Sequence, residues 1–197
     1  MKYIDRLVDY CVKSSYISND KAPWLRYALE KHLSTIVVII PFMVLGLCIA
    51  TPYVVFPFYI SYFALRKRIN GIHAKTLWGC FCISIMSEFI FLGIVGPLLN
   101  TTWMIVLLII SSATIYFLAP FNHPNMHLDD NEISACSKDA KWRLLVLLIL
   151  IALSFILRLT QLAHGFTLGI MLAAIMLVLA YIQNIGGLQN ERKQFQS

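Results

Sequence analysis

Two side chains able to do covalent chemistry together, His73 and Cys80, lie seven positions apart in the basic, glycine-containing stretch Leu65-Arg66-Lys67-Arg68-Ile69-Asn70-Gly71-Ile72-His73-Ala74-Lys75-Thr76-Leu77-Trp78-Gly79-Cys80. The thiolate is the nucleophilic form of cysteine, and a neighbouring histidine or a helix N-terminus favours it. A base that takes the thiol proton and later returns one to a leaving amine is what acyl transfer requires, and imidazole titrates near neutral pH. Geometry sets a condition. On one straight helix, seven residues leave both side chains on nearly the same face but about 10 Å apart along the axis, against about 3 Å for a hydrogen bond. The spacing therefore predicts that the chain folds back between them, with Gly71 and Gly79 supplying backbone freedom. Cys80 is then expected in the first turn of a helix, where the dipole stabilises a thiolate.

Other polar residues cluster near this pair. Glu88 is the one acid inside an apolar stretch, eight residues past Cys80 and about 80° around the helix from it. Three roles are open to it: orienting His73, binding substrate, or pairing with a basic residue. Ser84 and Ser87 lie nearer the Cys80 face and could line the same cleft, but close packing of helices is the more ordinary use of such residues. The run Arg66-Lys67-Arg68 suits contact with anionic lipid head groups and also recognition of an acidic peptide. Asp129, Asp130 and Glu132 in the next polar segment could pair with it when no substrate is bound. Cys80-x-Cys82 with His73 lacks the third and fourth ligands that zinc requires, and Pro124 separates His123 from His127. No metal and no cofactor are expected.

The elements that must hold these residues are apolar helices. Of 197 residues, 59% are hydrophobic and 13% charged, with a mean hydropathy of +0.73, whereas soluble domains carry about a quarter charged residues. The net charge of +6 is not a nucleic-acid footprint, because the cations sit at the ends of apolar blocks rather than along one face. Five scattered cysteines read as reduced thiols, not a disulfide framework. The fold class is all-α, a polytopic helical membrane protein in one domain. Residues 1–31 form an amphipathic cytoplasmic or interfacial segment of two short helices, the second opened by Pro23. Residues 33–185 form a transmembrane bundle, and 186–197 a cytoplasmic tail.

Six apolar stretches make up the bundle: 33–50, 53–65, 79–99, 102–119, 143–159 and 165–185. Spanning needs about 20 helical residues. The second stretch is short and carries Pro57 with Pro52 just before it, so it is expected to be tilted, broken or half-buried, and four or five full spans are alternatives to six. With six crossings and both termini in the cytoplasm, fifteen of the sixteen Lys and Arg fall on the inner side, all but Arg158. This is the asymmetry of the positive-inside rule.

The residues Arg66, Gly71, His73-Ala74, Trp78 and Cys80, at these spacings, together with Ala119-Pro120 after the fourth apolar stretch, resemble the accessory gene regulator B (AgrB) family. The resemblance covers nearly the whole chain in length, amphipathic start and hydropathy layout. It implies a bacterial, Gram-positive cell-membrane cysteine endopeptidase facing the cytoplasm, with Cys80 as nucleophile and His73 as its base. Members remove the C-terminal tail of a quorum-sensing propeptide (AgrD-like) and hold the remainder as an acyl-enzyme. An internal cysteine or serine of the peptide then closes a thiolactone or lactone. The resemblance further implies that Arg66 and Gly71 are needed for activity and that the chain forms a homodimer; Glu88 and Ser84 join them here as supporting or substrate-binding candidates. Water excluded near Cys80 favours the ring over hydrolysis.

Two other classes of function compete. A small transporter would line a polar path with His73, Glu88 and Arg158, but should show broken helices in two related halves, and the sequence has no such symmetry. A non-catalytic membrane adaptor needs no nucleophile, so loss of cleavage on replacing Cys80 distinguishes it.

Overall fold

The computed structural model describes residues 2–14, 21–69, 77–120 and 129–194. Among them all regular structure is helical: α1 (Lys2–Lys13), α2 (Ala22–Ile49), α3 (Pro52–Ile69), α4 (Leu77–Glu88), a π-helical segment (Phe89–Val95), α5 (Gly96–Leu98), α6 (Thr101–Leu118), α7 (Asp130–Ile156) and α8 (Thr160–Gln194). The all-helical class is as expected. The six apolar stretches each fall within helix, apart from residues at their ends.

Residues 1–45 form one compact unit. Its first helix is amphipathic, with Val8 buried while Leu7 and Tyr10 stay exposed. Arg26 pairs with Asp5 at 3.0 Å, both half-exposed, a pair of the kind that contributes about 0–1 kcal/mol. The expected second short helix is corrected. Pro23 does lie in the first turn of a helix, but that helix runs unbroken to Ile49. Nothing between Leu29 and Leu33 breaks a helix, so the amphipathic segment and the first apolar stretch merge. Pro41, deeper in, does not end it either.

Residues 46–197 form the second unit, built around α8. Ala163, Ile170, Ala173 and Leu177 are all but fully buried, and the core they belong to draws Leu65 and Ile69 from α3, Leu108 and Ile115 from α6, and Leu144, Leu147 and Ile151 from α7. The closest approach is between α8 and α3. A Cβ on Gly165 would lie 2.2 Å from the Val54 carbonyl oxygen, and one on Gly169 2.0 Å from Ser61 Oγ and 2.4 Å from the Phe58 carbonyl oxygen. Gly165-x-x-x-Gly169 thus lets two backbones touch, the arrangement that holds apolar helices together where no hydrophobic force separates helix from lipid.

Helix α3 settles the question raised by its prolines. It is continuous, with Pro57 inside it, and Val55, Pro57, Phe58, Ser61, Leu65 and Ile69 are buried. Half-burial against neighbours, rather than a break, is how the short stretch is accommodated. Ser61 Oγ donates to the Pro57 and Phe58 carbonyls at 2.8 and 3.0 Å, so its hydroxyl enters the α8 contact already satisfied.

Two helices among the described residues are long and apolar enough to cross a membrane, Thr101–Leu118 and Thr160–Gln183; Ile39–Ile49 and Cys82–Leu98 are shorter apolar helices. They lie differently. Only 17% of the first is buried against 72% of the second, so α8 is interior and α6 turns Trp103, Ile109, Ile110 and Phe117 outward. An apolar face of that extent on a monomer marks a lipid or protein contact.

Candidate active site

The basic end of α3 is held by α7. Arg66, Lys67 and Arg68 occupy the last turn of α3, where cations complement the helix dipole. One turn earlier, the Ala64 carbonyl accepts a hydrogen bond from Arg143 Nη1 at 2.9 Å. Arg68 forms an ion pair with Asp139 at 3.1 Å. Asp139 and Arg143 are four apart on α7, hence on one face, and together they fasten that face to the end of α3. The acidic partner of Arg68 is thus Asp139 of α7, outside the Asp129–Glu132 group that the sequence offered. Glu132 instead accepts from the Asp129 backbone N–H at 3.2 Å, half of a capping box at the start of α7. Arg66 is half-buried, with its Nη1 out of contact with solvent.

Among the described residues α4 runs Leu77–Glu88, with Cys80 its fourth residue. Gly79 is helical, which corrects its expected role as a point of backbone freedom: the helix has already started two residues before it. His73 and Gly71 lie outside the described residues, as do His123 and His127. Ser84 is half-buried. Ser87 Oγ donates back to the Ser84 carbonyl at 2.8 Å, so that hydroxyl is committed to its own helix rather than to a cleft.

Eight residues beyond Cys80, Glu88 is 2% exposed. One carboxyl oxygen, Oε1, accepts a hydrogen bond from the Tyr59 hydroxyl of α3; the other, Oε2, is buried without a hydrogen-bond partner. Among the described residues its partner is thus a tyrosine rather than a cation. Gly46 makes the room: a Cβ there would come within 2.8 Å of Glu88 Oε1 and 3.1 Å of Val55 Cγ1. Sequence reasoning passed over Tyr59. Its signal was available, because a tyrosine in an apolar helix has a hydroxyl that must find a partner, and Glu88 was the acid left unassigned.

Immediately after Glu88 the helix widens to π geometry over Phe89–Val95, closed by the Gly96 N–H donating to the Phe91 carbonyl. π turns inside α-helices recur at functional sites. The segment also fixes direction. A Cβ on Gly93 would touch Ile49 Cγ2 at 3.4 Å, next to the start of α3, whereas Glu88 meets the middle of α3. From Glu88 onward the chain therefore runs antiparallel to α3, and the Cys80 end of α4 lies toward the basic end of α3.

At that same end, a cavity of about 540 Å³ is lined by Phe117, Leu118, Ser137, Lys138, Lys141 and Tyr181, among others. Tyr181 closes one wall by donating to the Leu118 carbonyl at 2.8 Å, and Lys141 lies 4.6 Å over the Tyr116 ring. Among the described residues no group of three or more His, Cys, Asp or Glu could hold a metal ion, and Cys11, Cys48, Cys82 and Cys136 are free thiols.

A family model described as Accessory gene regulator B matches residues 4–177. No curated protein and no solved structure matches the chain.

Proposed function

The chain belongs to the accessory gene regulator B family, whose role is in quorum-sensing peptide processing, and from that premise we propose that it is a membrane cysteine endopeptidase with Cys80 as nucleophile and His73 as general base. The observation that carries the reading is the match of the Accessory gene regulator B model to residues 4–177, a range that contains both His73 and Cys80; Cys80 is expected near the N-terminal end of α4, where a helix dipole favours a thiolate. The basic last turn of α3, fastened to α7 through Arg143 and Asp139, lies toward the same end and suits an acidic peptide tail.

In the proposed reaction the Cys80 thiolate attacks the carbonyl carbon of the scissile peptide bond. His73 takes the thiol proton and delivers it to the departing amine, so the C-terminal tail leaves and a thioester remains on Cys80. An internal thiol of the AgrD-like propeptide, or a hydroxyl, then adds to that thioester. The Cys80 sulfur departs, and a thiolactone or lactone results. A thiol–thioester exchange conserves the acyl bond type, so the second step is close to balanced, and exclusion of water decides whether ring or acid forms.

The proposal also includes the topology: six crossings, both termini in the cytoplasm, with fifteen of sixteen Lys and Arg on the inner side. It includes the homodimer implied by the resemblance. The test is tail release from a cognate propeptide by purified protein in lipid, followed by mass spectrometry. Wild type is expected to give the tail and a dehydrated ring, and Cys80→Ala and His73→Ala neither. Equal cleavage by folded Cys80→Ala removes the dyad from consideration.

A further inference from the structure

A carboxyl group buried among apolar helices is costly, and among the described residues Glu88 is buried with one hydrogen-bond partner, the Tyr59 hydroxyl. What this bond fixes is height. Packing between apolar helices in lipid specifies sliding only weakly, since one ridge of methyl groups resembles the next. A directional polar contact has one register. Single buried polar residues set register in coiled coils in the same way, at some loss of stability.

Helical rise gives the consequence. Cys80 precedes Glu88 by eight residues, all within α4, which is about 12 Å along the axis. Arg66 follows Tyr59 by seven residues within α3, about 10.5 Å along its axis and about 20° from the Tyr59 direction. The helices run antiparallel, so both steps lead to the same end of the bundle. A bond at Tyr59–Glu88 therefore levels Arg66 with Cys80 to within about one residue of rise. The π geometry starts only at Phe89, so its extra residue per turn falls on the far side of the pin and leaves this count undisturbed.

We propose that Tyr59 and Glu88 are positioning residues: their hydrogen bond sets the register of α4 on α3 and so the height of Cys80 relative to Arg66. The inference rests on the endopeptidase reading for its catalytic consequence, but not for the register itself. Gly46 belongs to the device, because any side chain there would displace the Glu88 carboxyl.

Two readouts on the full chain in lipid test it. In tail release, Tyr59→Phe and Glu88→Ala are expected to lower kcat about tenfold to a hundredfold, as misplacement by about an ångström does, with KM nearly unchanged. Glu88→Gln keeps an acceptor for the tyrosine and is expected to retain activity. The Tyr59→Phe/Glu88→Ala double variant should be no worse than either single, since both remove one bond. The second readout carries no catalysis: with Cys11, Cys48, Cys82 and Cys136 replaced by serine, a short bifunctional thiol reagent should link Cys80 to Arg66→Cys, and less so when Tyr59→Phe is added.

Wild-type kcat and cross-linking in Tyr59→Phe overturn the inference. So does Glu88→Gln as impaired as Glu88→Ala, which assigns the role to the charge instead. If Cys80→Ala still cleaves while cross-linking depends on Tyr59, the endopeptidase reading fails and the register stands; if Cys80→Ala is inactive and Tyr59→Phe is unaffected in both readouts, the register alone fails.

Discussion

Arg158 holds a backbone conformation that usually falls to glycine. Its φ is 57°, and around it the Leu159 N–H donates to the Ser154 carbonyl at 2.8 Å and its own N–H to that of Phe155 at 3.1 Å. This is a Schellman closure of α7 with an arginine at the left-handed position, where a Cβ costs about 1 kcal/mol or more. Arg158→Gly is expected to raise the thermal midpoint of the purified protein, whereas Arg158→Ala, which keeps the Cβ, should not. A midpoint for Arg158→Gly no higher than for Arg158→Ala contradicts the strain. At this scale the sequence was legible where chemistry is rare and opaque where it depends on a neighbour. A cysteine after a histidine and a basic run stands out by type alone, and its place on α4 agrees with the apolar stretch that begins at Gly79. The partner of Glu88 does not stand out, because Tyr59 is 29 residues away and the two meet only in the folded bundle, beside Gly46 of α2. The left-handed Arg158 had no signal either, since nothing in its type announces the conformation.

Between elements, the α3–α8 contact depends on two absent side chains. Gly169→Ala drives a Cβ against Ser61 Oγ and against the Phe58 carbonyl oxygen and Tyr62 nitrogen, the last two backbone atoms that cannot rotate away, and is expected to cost about 1–3 kcal/mol as overpacking does. Gly93→Ala meets Ile49 Cγ2 at 3.4 Å and the Phe89 ring at 3.9 Å, ordinary contact distances, and should be nearly neutral. Parallel thermal melts in one detergent check the pair; equal midpoints contradict the close approach. The Gly165-x-x-x-Gly169 spacing was open to reading as small residues four apart on an apolar helix, but counting hydropathy passes over it, since glycine adds almost nothing to the count. Helix extents were readable because apolar blocks end at charges and prolines. The merging of the second amphipathic helix with α2 was not, for amphipathic and uniformly apolar segments join without a breaker.

At the scale of the molecule, hydropathy reveals how much of the chain is apolar but not which helix lies at the centre. Thr101–Leu118 and Thr160–Gln183 have hydropathies of 1.9 and 2.3, yet one faces outward and the other is interior. The interior helix is only slightly the more apolar of the two, because in lipid the outer surface is as apolar as the core and the contrast that marks a buried helix in water is blunted. What distinguishes α8 is its small residues, Gly165, Gly169, Ala173 and Ala174, which allow neighbours to approach on several sides. The outward faces of α6 and α7, with Ile109, Phe117, Ile149 and Ile156 exposed, are the surfaces a bilayer would cover. A bundle so placed carries Cys80 near one membrane face, where a peptide acyl group could be held away from bulk water. That acyl group is the central claim, and the most direct measurement is to trap it. A cognate propeptide whose internal nucleophile is replaced by alanine cannot discharge the thioester by cyclising. Incubated with the protein in lipid, it should leave a hydroxylamine-labile mass on the Cys80 peptide equal to the acyl fragment, with the tail released in equal amount. Tail release without any adduct on Cys80, or an adduct that persists in Cys80→Ala, contradicts the account.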